Sequence, residues 1–190
     1  MTALILGLVI FLGAHSVRIF ADPWRTGVRA RIGENAYKGL YTLAALVGFA
    51  LIIWGYGQAR QQMPLWDPPA FMRHATALLM LPVFVLFVAT YVPRNGIKAK
   101  VHHPMVLSVK LWAFAHLLSN GNLADVLLFG GFLAWAILSF TAARKRDRAV
   151  GKVYPAGTLQ GTIVCVIAGL AIYAAFVMGL HTWMIGVRPV

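Results

Sequence analysis

Six histidines, His15, His74, His102, His103, His116 and His181, are the side chains of this sequence best suited to chemistry, and each falls in or beside a long apolar run. Ionisable groups set into lipid are costly and by default mark functional positions. His15 is followed by Arg18 at i+3 and Asp22 at i+7, spacings that put all three on one helical face. One reading is a plain helix end, where Arg18 snorkels to the surface and pairs with Asp22. The other is an imidazole ligand beside a guanidinium able to meet a carboxylate, such as a haem propionate. His116 carries Trp112 at i−4 and Asn120 at i+4, a stripe of indole, imidazole and amide. That stripe serves either an interhelical hydrogen bond or an axial ligand whose second nitrogen is oriented by a neighbour.

His103, just before Pro104, is placed to cap a helix or to contact a headgroup or substrate, and His102 reads as a loop residue. His74 and His181 fall near the opposite face, where they are in reach of each other or of His116. A metal site there has no acid or cysteine close by in sequence to complete it. No Ser/His/Asp or Cys/His arrangement is present, and no phosphate-cradling loop. The single cysteine, Cys165, excludes an intrachain disulfide and a cysteine zinc site.

The elements that must position these groups are membrane helices. Of 190 residues, 60% are hydrophobic and 12% charged, about half the charged fraction of an ordinary soluble domain. A water-exposed surface of this composition would aggregate, whereas lipid calls for an apolar one. Residues 2–21, 38–57, 71–92, 104–120, 122–142 and 159–185 meet or approach the roughly 20 residues needed to span a bilayer. The fourth is the shortest and most polar, with Lys110, His116, Ser119 and Asn120. The sequence therefore predicts a single all-α membrane domain over 1–190, a polytopic bundle of about six spans. No basic residue precedes Arg18, so the first run lacks the n-region of a signal peptide and is expected to be a retained span. The turn at Asn120-Gly121-Asn122 predicts antiparallel neighbours for the fourth and fifth spans.

Thirteen Lys and Arg residues fall in the first, third and fifth loops and only Arg60, Arg73 and Arg188 on the other side. The positive-inside rule then puts both termini outside. The net charge of +12 is thus a topology signal with anionic lipid as a partner, and basic residues confined to short loops argue against nucleic acid. Gly7, Gly13, Gly130 and Gly131 are candidates for close helix approach, Gly13 also for room beside His15. Pro82 is a candidate kink in the third span. Trp24, Trp66 and Trp183 lie near span ends, as an interfacial belt requires.

Over nearly its whole length the chain resembles the NnrU family of bacterial membrane proteins. The likeness is carried by Leu12–Arg18 (LGAHSVR), Gly33–Tyr41 (GENAYKGLY), His103-Pro104-Met105, Leu111–Gly121 (LWAFAHLLSNG) and His181–Val187 (HTWMIGV). The resemblance implies a part in denitrification, in nitrite and nitric oxide metabolism, without defining a reaction. Around His15, His103-Pro104 and Ala115-His116 the chain is also similar to 15-cis-zeta-carotene isomerase, a membrane haem b enzyme, from which it departs over most of its length. Carried over by position, that similarity implies haem b with His15 and His116 as iron ligands, and the spacing of Arg18 from His15 then puts its guanidinium near a propionate. His103, Trp112, Asn120 and His181 would then be supporting residues. A haem-dependent cis–trans isomerase acting on a lipid-soluble polyene is the alternative it implies. A non-enzymatic assembly or sensing factor is the third.

Overall fold

The computed structural model describes residues 1–189, and its described elements are helices without a strand. They are α1 (Thr2–Phe20), α2 (Asp22–Ile32), α3 (Glu34–Ala59), α4 (Met72–Tyr91), α5 (Gly96–Val101), α6 (Pro104–Ser119), α7 (Leu123–Ala149) and α8 (Leu159–Ile185). Helices α1, α3, α4, α7 and α8 are long and apolar enough to cross a membrane. Only between 11% and 22% of the residues in their apolar stretches are buried, so most of their apolar surface faces outward. Leu40, Leu43, Leu46, Phe49, Ile53 and Trp54 of α3 are all exposed, an arrangement stable in lipid and not in water. The fourth apolar run forms α6, whose 16 residues at 1.5 Å each reach only about 24 Å. Five helices thus meet the length criterion and α6 falls short of it.

Local signals set the breaks. Asp22-Pro23 opens α2, with proline in the first turn where its missing N–H costs nothing. Gly33 joins α2 to α3 at φ +84°, a backbone region that favours glycine. α4 runs unbroken through Pro82. Five-residue π-helical turns lie at Val126–Gly130 in α7 and Phe176–Leu180 in α8.

The chain forms two compact units, residues 1–67 with 121–142, and residues 68–120 with 143–190. In the first, α1 and α3 pack antiparallel at close range. A methyl group on Gly55 would sit 2.2 Å from the Leu4 nitrogen, and one on Gly7 2.7 Å from that of Ile52. Gly13 and Gly130 have open space instead, and Gly131 meets only the Leu12 side chain, at 3.3 Å. Close approach is therefore the work of Gly7, Gly48 and Gly55. The start of α7 is pinned by Asp125, 2% exposed. Its carboxylate accepts the Tyr56 hydroxyl at 2.7 Å and the Asn122 backbone and amide N–H groups at 2.9 and 3.1 Å, so the acid is fully satisfied.

In the second unit α4 is central. Its Thr76 hydroxyl donates to the Ala115 carbonyl of α6 at 2.8 Å, and Ser108 of α6 donates back to the Val83 carbonyl at 3.1 Å. Bonds of this kind between apolar helices are worth about 0.6 kcal/mol each. Cys165 and Gly169 of α8 pack against Val88, Ala89 and Val85 of α4.

Candidate functional site

His15 sits one turn from the end of α1, within an aromatic nest of the first unit. Its Nδ1 lies 2.7 Å from the Phe11 carbonyl. A carbonyl only accepts, so Nδ1 carries the hydrogen and Nε2 the lone pair. The ring stacks on Phe11 (centroids 4.1 Å apart), with Tyr41 of α3 at 5.2 Å and the indole of Trp135 of α7 edge-on at 5.9 Å. The Trp135 Nε1–H is buried and has no acceptor among the described residues. Such a donor costs about 1–3 kcal/mol unless something meets it.

Arg18 follows, exposed, in the last turn of α1. It does not share a helical face with Asp22, because α1 ends at Phe20 and Ala21 leaves helical geometry (φ −137°, ψ 39°). Asp22 pairs instead with Arg25 of its own helix at 3.1 Å.

His116 of α6, in the second unit, repeats the His15 arrangement. Its Nδ1 lies 2.9 Å from the Trp112 carbonyl, which again leaves the lone pair on Nε2, and the Trp112 ring is 5.4 Å away. The Asn120 amide donates to the His116 carbonyl (2.8 Å) and to Ser119 Oγ (3.2 Å). Its recorded bonds thus close the helix end and are not to the imidazole. His181 hydrogen-bonds through Nδ1 to the Val187 carbonyl at 2.7 Å, and His74 is exposed at the start of α4. Among the described residues no three His, Cys, Asp or Glu side chains cluster as a metal cage.

A second constellation stands at the α5–α6 corner. His103 is the N-cap residue of α6 but makes no side-chain cap. Its Nε2 lies 2.7 Å from Asp147 Oδ2, which also accepts the Tyr154 hydroxyl at 2.6 Å. Lys152 Nζ is 3.7 Å from the other carboxylate oxygen and 4.8 Å from the Tyr154 ring centroid. His102, at φ +68°, stacks on Tyr154 nearly coplanar at 4.2 Å, and Arg144 bonds its Nδ1. Burial holds the His103 imidazole below its usual pKa despite Asp147 beside it. Burial, then the Asp147 hydrogen bond, push the Tyr154 phenol up to about 12. Burial thus favours the neutral form of an imidazole that a carboxylate orients, the form suited to accepting a proton.

Sequence reasoning reaches His15, Arg18, His103 and His116 but misses Phe11, Tyr41, Trp135, Asp147 and Tyr154. Trp135 carries one signal: it lies in the middle of an apolar run, away from the ends where belt tryptophans gather.

Apolar helices that expose their hydrophobic faces and set imidazoles among them define a membrane-type all-α protein. A family model described as NnrU protein matches residues 3–189, and the chain belongs to that family. No curated protein and no solved structure matches it, so the similarity to 15-cis-zeta-carotene isomerase is not shown.

Proposed function

We propose that the protein is a multi-pass protein of the bacterial inner membrane, with both termini on the periplasmic side, that binds haem b and serves nitrite and nitric oxide metabolism. The link to denitrification follows the family. The haem rests on one observation: His15 holds its proton on Nδ1, has its lone pair on Nε2, and stands in an aromatic nest beside a buried indole N–H without an acceptor. The donor set fits this group. Porphyrin supplies four of the iron's ligands, so one or two imidazoles complete the site, whereas zinc or calcium would need a cage.

In this reading His15 is an iron ligand, oriented by the Phe11 carbonyl as second-shell acceptors orient metal-bound histidines. His116, with its Nδ1 on the Trp112 carbonyl, is the other candidate imidazole ligand. Phe11 and Tyr41 give the flat apolar contact a macrocycle needs. Trp135 donates to an acceptor on the cofactor or a bound ligand, and Arg18 offers a guanidinium to a propionate at the helix end. When bound, the haem supplies redox or ligand-binding chemistry, and the chain sets its orientation and access.

The test is haem content and spectrum of purified variants. His15→Ala and His116→Ala are each expected to abolish haem binding. An unchanged Soret band in the double variant overturns the assignment.

A further inference from the structure

The network around Asp147 borders a cleft of about 260 Å³ lined by His102, Arg144, Asp147, Arg148, Gly151 and Lys152. Arg144, Arg148 and Lys152 line it with Asp147, and Arg144 also bonds His102, so the charged side chains of the lining sum to +2. The carboxylate is committed: one oxygen takes Tyr154 and His103, and the other faces Lys152. We infer that this cleft is a binding site for a phosphate group, either a phosphomonoester lipid headgroup or free phosphate.

Convergence is the argument. A topology signal requires only that basic residues lie in the loop, but Arg144 and Arg148 of α7 and Lys152 of the loop after it line one cleft, closed by His102 from the α5–α6 corner. Arg144, Asp147 and Arg148 belong to α7, one to two turns apart. Gly151, at φ +58°, turns the chain so that the Lys152 N–H returns to the Asp147 carbonyl at 2.9 Å. Tyr154 then ties the loop to the Asp147 side chain, and His103 ties that side chain to the start of α6. Arg144, Arg148 and Lys152 outnumber the one carboxylate of the cleft, and the surplus positive charge favours a further anion among them. Two guanidinium forks and an ammonium suit a tetrahedral oxyanion, and the surplus of two charges matches a phosphate dianion.

The full chain is purified in neutral detergent and given two probes, inorganic phosphate by calorimetry and phosphatidic acid in mixed micelles by native mass spectrometry. Wild type is compared with Arg144→Gln/Arg148→Gln/Lys152→Gln, and with Arg31→Gln/Lys100→Gln/Lys145→Gln, which removes equal charge at exposed positions outside the cleft. The cleft variant is expected to bind at least about tenfold more weakly than the control variant, since each surface cation contributes about 1 kcal/mol. Binding of phosphate in solution identifies the free anion as the source, and binding of phosphatidic acid alone identifies the headgroup. Either supports the site. If wild type takes neither probe, or both triple variants weaken equally, the inference fails. Should the cleft variant not fold, Arg148→Gln alone, at an exposed side chain, is expected to lose about fivefold against Lys145→Gln, and equal loss overturns the site.

Discussion

The histidine at the end of α1 and the histidine at the start of α6 show two ways of holding an imidazole. His15 takes its hydrogen-bond partner from its own helix and its neighbours from aromatic rings, with no acid in contact. His103 takes a carboxylate from another helix, and that carboxylate is shared with a phenol and approached by a lysine. The first arrangement fixes a tautomer without importing charge into an apolar nest, which suits a ligand to a metal that carries its own charge. The second joins three segments through one anion, which suits a rim that must hold a loop in place. Function in the nest should therefore fail without loss of fold, and in the rim the two should fail together.

The sharpest break in that contrast is His15→Ala. It is expected to remove haem completely, read as the loss of the Soret band, while the thermal midpoint of the haem-free protein stays unchanged. Asp147→Ala comes next. It strips acceptors from Tyr154 and His103 and is expected to cost about 2 kcal/mol, seen as a lower midpoint and faster proteolysis of residues 150–157. Haem content should persist in that variant; its loss would merge the two regions into one.

Gly55→Ala and Gly13→Ala separate packing from site within α1 and α3. The first drives a methyl group into the Leu4 backbone and is expected to cost about 1–3 kcal/mol, by detergent-resistant melting. The second meets open space and should leave the melt unmoved. Trp135→Phe is a smaller change, expected to keep haem but shift its bands or reduction potential; an identical spectrum and potential would leave the indole without a role. The mildest effect is that of pH. The folded protein holds His103 below its usual pKa, so its neutral form is the stabilising one. That contribution is complete above the ordinary imidazole value of about 6.5 and falls as pH drops below it. Acidification through that range should lower the melting midpoint, and His103→Gln should flatten the dependence. A midpoint that rises on acidification contradicts the direction.

What the sequence displays and what it conceals divide along physical lines. Span positions are legible because lipid imposes a continuous apolar run, so residues 2–21 and 159–185 match α1 and α8 almost to the residue. The His15 and His116 tautomers are set by the carbonyl at i−4, a partner that sequence offers without selecting, since His181 turns to the Val187 carbonyl instead. The shared face of His15, Arg18 and Asp22 fails because periodicity assumes an unbroken helix. Asp22-Pro23 is itself a start signal that outweighs it. Gly7 and Gly13 look alike in sequence, yet only Gly7 meets a partner backbone. The partners of His103 lie 44 and 51 residues downstream, joined by tertiary structure and by no motif, so no local pattern reveals them.

The nest around His15 is the centre of this account, and the visible absorption spectrum of the detergent-purified full chain, oxidised and then reduced, tests it most directly. Imidazole-ligated haem b predicts an intense Soret band that shifts and sharpens on reduction, with one haem released per chain. A protein that is transparent in the visible and free of iron, when expressed in haem-replete cells, contradicts it.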